Sequence, residues 1–179
     1  MDSKLPFFGY GSLLWRPGFR PAMSQHGKLE GYSRSFCMHS VHHRGSRESP
    51  GLVLALDRCS GSSCEGIVLW AEPSEHDRVL AQIRERELVT SAYSEEVVDV
   101  ALPGGGRTEA IAYVVDRHHH QYCGELPPEQ QAEIIARASG VSGMNRDYLR
   151  RTVQRFEELG ISDPGLLEID RLVEGIKGR

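Results

Sequence analysis

Between positions 5 and 70 apolar residues come in alternation or in short solid runs, and after Pro128 they recur every three to four positions, so the pattern predicts strands first and helices last. Phe7-Phe8 opens the β-rich part. Tyr32, Arg34, Phe36 and Met38 fall on one face of an extended run, and residues 52–56 and 66–70 are apolar stretches of strand length. Between the last two, Cys59-Ser60-Gly61-Ser62-Ser63-Cys64 predicts a hairpin turn. A second hairpin is expected where residues 97–102 meet 110–115 across Pro103-Gly104-Gly105-Gly106.

One helix lies between these hairpins. It is expected to start after Pro73, with Ser74 as N-cap and Asp77 in capping-box position, and to run to about Leu88. Three more helical patterns close the chain: 128–138 stopped at Gly140, 145–159 stopped at Gly160, and 164–176. The layout is α+β: a mostly antiparallel sheet or small barrel, one inserted helix, and a helical C-terminal third. With no internal repeat or linker, residues 1–179 are expected to form a single domain.

Within Arg84-Glu85-Arg86-Glu87 the helical period separates two glutamates. At 100° per residue Glu87 falls about 20° from Leu80 and continues the stripe of Leu80 and Ile83, whereas Glu85 points about 140° away. A carboxyl held against apolar surface has its charged form disfavoured, which raises its pKa toward values useful for proton transfer near neutrality. The same residue at a frayed helix end, paired with Arg84 or Arg86, would be idle, and the period alone leaves both readings open.

The other candidate for chemistry is the N-terminal run from Phe7 to Phe19, in which Gly9 and Gly11 bracket Tyr10 ahead of Ser12-Leu13. Such a turn leaves successive backbone N–H groups available to hold an anion. The glycines permit dihedrals that side chains avoid and a close approach to a ligand, and Ser12 adds a hydroxyl. An ordinary strand-to-turn junction has the same composition.

Net charge is −4 and the isoelectric point near 6.1, which gives no basic footprint for nucleic acid. No apolar run has the length of a membrane span, and the first residues lack the charged and apolar regions of an export signal, so a cytoplasmic location is expected. Cys37, Cys59, Cys64 and Cys123 have no zinc spacing and are expected as free thiols, with Cys59 and Cys64 able to bridge if oxidised. His118-His119-His120 and His42-His43 lack the partners of a tetrahedral site, and the histidine triplet reads as a surface loop. The glycines at 104–106 precede a strand and lack the Lys-Ser/Thr of a phosphate loop. Cys37 reads as a buried structural thiol.

Tyr10-Gly11-Ser12-Leu13, followed by Trp15, Pro17, Gly18 and Phe19, resembles the signature of the γ-glutamylcyclotransferases in the form that marks the ChaC-type, glutathione-specific branch. Arg86-Glu87-Leu88-Val89-Thr90-Ser91-Ala92-Tyr93 is similar to the stretch that carries that family's catalytic glutamate. Further pieces follow in the family's order: His43-Arg44-Gly45 with Pro50-Gly51, residues 110–114, residues 135–138, Ser142-Gly143, Asn145 and Tyr148-Leu149. Leu14 and Met144 depart from the family's usual residues.

The resemblance implies a γ-glutamylcyclotransferase-like fold and a cofactor-independent, metal-independent lyase. Its small-molecule substrate, glutathione, would be converted to 5-oxoproline and cysteinylglycine by attack of its own α-amine on its γ-carbonyl. Glu87 would be the acid/base. Phe8, Gly9, Tyr10, Gly11, Ser12 and Leu13 would form the glutamyl-binding segment, chiefly through backbone donors. Tyr93 and Tyr113 would either place hydroxyls near the γ-glutamyl group or pack in the core. Arg44 would either meet the glycine carboxylate or sit solvated in a loop. Two alternatives stand beside this reading: action on other γ-glutamyl amines or amino acids, and a non-catalytic γ-glutamyl-binding regulatory protein.

Overall fold

The computed structural model describes residues 4–177. Strands β1 (Phe7–Gly9), β2 (Met23–Ser40) and β3 (Gly51–Trp70) precede helix α1 (His76–Glu87). Strands β4 (Tyr93–Ala101) and β5 (Arg107–Val115) follow it, and α2 (Pro128–Arg137), the short strands β6 (Ser139–Gly140) and β7 (Gly143–Met144), α3 (Asn145–Leu159) and α4 (Pro164–Lys177) complete the chain. The α+β expectation holds. Strands β1 to β5 close into a barrel in the order β1-β3-β2-β4-β5, with β3 also pairing β5. The chain divides into two compact units, Met1–Arg34 with Leu56–Asp116, and Ser35–Ala55 with Arg117–Arg179.

In the first unit β5 explains most of the packing. Its alternation sends Ala110, Ala112 and Val114 into the barrel with Phe8, Tyr10, Leu29, Val68, Val98 and Val100. The small alanines admit the large rings of Phe8 and Tyr10. Ile111 and Tyr113 take the other face and form a second cluster with Phe7 and with Val79 and Ile83 of α1. From Ala110 on, β5 is buried on both faces and reads as a solid apolar run. It pairs antiparallel with β4 from Tyr93↔Val115 to Ala101↔Arg107, longer than the expected hairpin and around the same glycine turn.

Two local expectations need correction. The hairpin at 59–64 is a bend inside continuous β3, with Gly61 at φ 82°, and none of the four cysteines forms a disulfide. The capping box at Ser74 is also absent: a turn at residues 72–75, closed by the Glu75 N–H to the Glu72 carbonyl at 2.9 Å, delays α1 to His76. Asp77 instead meets Lys4 Nζ at 3.3 Å.

The second unit holds α2, α3 and α4. Gly160 ends α3 in the left-handed conformation, φ 67°, as expected for a C-terminal glycine. Gly140, expected to stop α2, does a different job. The helix ends at Arg137, and a β-carbon on Gly140 would lie 2.4 Å from the His42 carbonyl oxygen, so this position admits backbone and nothing more. The turn after β5 leaves His118 and His120 exposed.

Candidate active site

β1 delivers the chain into a short 3-10 turn, Ser12–Leu14. Leu14 N–H bonds the Gly11 carbonyl at 3.0 Å, and Arg16 N–H bonds the Ser12 carbonyl at 2.7 Å. Those donors are spent. Ser12 and Leu13 are the N–H groups that precede the first turn and have no intrahelical acceptor. Neither Gly9 nor Gly11 has positive φ; Gly11 stands at φ −139°, ψ −120°, outside both the helical and the extended region. A β-carbon on Gly9 would stand 3.4 Å from both Leu13 Cβ and Leu14 Cδ2, so Gly9 lets the turn fold down on the strand.

Side chains from this run mostly face inward. Phe8 and Tyr10 fill the barrel, Leu13 is buried, and the Tyr10 hydroxyl donates to the Tyr113 carbonyl at 2.8 Å. Of the six predicted binding residues in this run, Ser12 is the one whose polar side-chain atom lies outside the core. Its Oγ accepts a hydrogen bond of 2.7 Å from Arg86 Nη2.

Glu87 is the last residue of α1, on the stripe of His76, Val79 and Ile83, whereas Glu85 is exposed. The Glu87 side chain retains 17% exposure and pairs with Arg86 Nε at 3.1 Å. Burial pushes its carboxyl above the ordinary range, and the adjacent guanidinium pulls part of the way back. Arg86 also donates from Nη1 to the Arg16 carbonyl at 2.6 Å. One guanidinium therefore ties the glycine turn to the end of α1.

β5 and β4 bring a third group. The Tyr113 ring is buried, its hydroxyl donates to Glu95 Oε2 at 3.0 Å, and its pKa is raised first by burial and then by the Glu95 and Glu87 carboxylates. Arg84 grips Glu95 at both oxygens, Nε to Oε2 at 2.8 Å and Nη2 to Oε1 at 2.6 Å, and holds that carboxyl below its ordinary value. Two carboxyls near one tyrosine are thus pushed in opposite directions: Glu87 is disposed to carry a proton and Glu95 to stay ionised. Tyr93 starts β4 and packs on the Tyr113 and Ile83 cluster. Ser91, between α1 and β4, has φ 56°, a conformation that a non-glycine residue adopts only when its surroundings impose it.

The phase of α1 therefore predicts which glutamate is buried, and within the first unit Arg86 links Ser12 to Glu87, with Tyr113 near enough to feel the Glu87 charge. Arg86 and Glu95 escaped sequence reading. Arg86 read as one of a charge run, and Glu95 lies in a polar-looking stretch, Ser94-Glu95-Glu96, whose alternation is the only hint that one carboxylate faces Tyr113.

Arg44 belongs to the second unit, and the solvated-loop alternative fails. It is 6% exposed, with its guanidinium 5.7 Å from the centre of the Tyr148 ring and Nη1 donating to the Met144 carbonyl at 3.3 Å. Around it the other matching pieces knit backbone. Asn145 donates from Nδ2 to the Leu52 carbonyl and accepts the Leu52 N–H at Oδ1, both at 2.7 Å. A β-carbon on Gly45 would lie 2.1 Å from the Gly51 nitrogen.

No helix among the described residues is long and apolar enough to cross a membrane. The ChaC-like protein family matches residues 5–176. The glutathione-specific gamma-glutamylcyclotransferase of Escherichia coli K12 is 32% identical over 162 residues, covering 90% of this chain and 69% of that protein. Human glutathione-specific gamma-glutamylcyclotransferase 1 is 34% identical over 155 residues, covering 86% and 70%. A crystal structure of the yeast cyclotransferase specific to glutathione superposes with a TM-score of 0.86 at 21% identity over 96% of both chains, which gives the fold. On the extent of the match and the identity to these relatives, the chain belongs to the ChaC-like family.

Proposed function

We propose that this protein is a cytoplasmic, cofactor-independent glutathione-specific γ-glutamylcyclotransferase, with residues 1–179 acting as one catalytic domain. Its similarity to enzymes named for that activity supports the substrate, and the family match across both compact units supports the single domain. The observation that carries the chemistry is the largely desolvated Glu87 carboxyl, joined through Arg86 to Ser12 of the glycine turn.

Glutathione supplies both nucleophile and electrophile, so the enzyme's task is to fold the glutamyl chain into attack geometry. Glu87 takes a proton from the α-ammonium. The freed amine attacks the γ-carbonyl carbon and closes a five-membered lactam, while Ser12 and the unspent N–H groups of Ser12 and Leu13 receive negative charge on the substrate. The bond to the cysteine nitrogen then breaks as Glu87 returns its proton to that nitrogen, and the attacking nitrogen gives up its second proton, which ends on the freed amine and leaves the lactam N–H. The products are 5-oxoproline and cysteinylglycine, with no water consumed. Purified protein incubated with glutathione releases both in equal amounts. N-acetylated glutathione, whose nitrogen is no longer a nucleophile, gives neither, and its turnover would refute the intramolecular route.

Base catalysis needs Glu87 ionised. Because burial raises its pKa, kcat/KM for glutathione is expected to rise with pH through an acid limb above the ordinary glutamate range. An acid limb at or below the unperturbed glutamate value, about 4.3, would remove the desolvated carboxyl from the mechanism.

A further inference from the structure

Arg86 reaches three parts of the site at once. Nε pairs with Glu87 Oε1 at 3.1 Å, Nη2 donates to Ser12 Oγ at 2.7 Å, and Nη1 donates to the Arg16 carbonyl at 2.6 Å. The last two contacts span 74 and 70 residues of sequence, so they are tertiary joints. Arginine suits the task because its rigid planar fork addresses several acceptors together, whereas lysine offers a single point charge.

The contact with Ser12 fixes a polarity. A serine hydroxyl has one proton, and a guanidinium cannot accept it. With Arg86 donating to Oγ, the Ser12 proton must point away from Arg86 and act as a donor to something else. We propose that Arg86 is a positioning residue for the reaction: it holds the glycine turn against Glu87 and aims the Ser12 O–H outward as a donor to a negative oxygen of the γ-glutamyl substrate. This inference rests on the cyclotransferase reading and assigns a polarity to the binding segment that the reading leaves open.

The same guanidinium is the opposing charge on Glu87. The charged partner of this carboxyl is Arg86 on its own helix; the Tyr113 hydroxyl from β5 is near enough to feel the Glu87 charge, and it donates to Glu95 of β4, which Arg84 holds. Removing the positive charge leaves burial unopposed, and the Glu87 pKa rises further.

The test compares Arg86→Gln, Arg86→Lys, Ser12→Ala and the Arg86→Gln/Ser12→Ala double variant, each first checked for folding by circular dichroism. Expected for Arg86→Gln is a loss of about tenfold to a thousandfold in kcat/KM, with the acid limb moved to higher pH. Arg86→Lys keeps the acid limb nearer its place yet loses rate, because one ammonium cannot serve three acceptors; it also carries the test should the glutamine variant not fold. Because the arginine acts in part through the serine, the double variant falls by less than the product of the two single losses. Full multiplication of those losses, or an unmoved acid limb in Arg86→Gln, overturns the assignment. A readout independent of turnover is the carboxyl titration of carbon-13-labelled Glu87, identified by its absence in Glu87→Gln: it must titrate at higher pH in Arg86→Gln. Wild-type protein inert toward glutathione, with that shift still present, would sink the enzymatic reading and leave the Arg86–Glu87 coupling standing. An active wild type with an unchanged titration sinks the Arg86 assignment alone.

Discussion

Glu87→Gln is expected to lower glutathione turnover by about 10² to 10⁴-fold, the range that general acid-base catalysis contributes, while leaving the protein folded. The amide matches the carboxyl in shape and still accepts from Arg86, but it cannot shuttle a proton. Glu85→Gln, two residues earlier and exposed, keeps near-normal activity and serves as the control. Parallel steady-state assays decide between them, and the reverse pattern would refute both the helix phase and the role given to Glu87. The same variant should also move stability. A carboxyl whose folded pKa is raised favours the folded state below its unfolded pKa and loses that contribution as pH climbs through the folded value. Wild type therefore bears an unfavourable desolvation at neutral pH that Glu87→Gln lacks. Melting temperature should rise in the variant near pH 7, and the difference should shrink on acidification toward the ordinary glutamate range.

Asn145→Leu is expected to cost about 2 to 6 kcal/mol of folding stability. The side chain is fully buried and satisfies both the N–H and the carbonyl of Leu52, itself fully buried. Leucine fills the same space but leaves a donor and an acceptor unpaired, each at about 1 to 3 kcal/mol. Against a total stability of roughly 5 to 15 kcal/mol, that is enough to unfold a marginal domain. Asn145→Asp does not rescue it, since a carboxylate keeps the acceptor, loses the donor and faces the Leu52 carbonyl with like charge. Denaturant midpoints measure the loss, and a change below about 0.5 kcal/mol would show that Leu52 finds other partners.

Periodicity carried the architecture well where an element has one buried face or a strong stop. The bounds of α3, with Gly160 after it, follow from spacing alone, and so does the β4–β5 hairpin around its glycines. It carried less where tertiary structure reuses a residue. Gly140 has the look of a helix stop and is a close-packing glycine; Ser74 has the look of a cap and lies in a turn ahead of the helix. At the site, helix phase was enough to distinguish Glu87 from Glu85. It said nothing of Arg86, because a charge next to a charge on a helix is locally indistinguishable from a solvated face. Its importance comes from Ser12 and Arg16, which no local window contains.

That separation bears on when the site comes into being. The glycine turn leaves the ribosome 74 residues ahead of the arginine that fastens it, several seconds at about 5 to 20 residues per second. Until Arg86 arrives, the turn lacks its hydrogen-bonded ties to that guanidinium, and closing a loop of that length costs chain entropy. Assembly of the catalytic constellation is therefore a late event in folding, and a nascent chain that already displays the signature motif is not yet an enzyme that can consume its substrate.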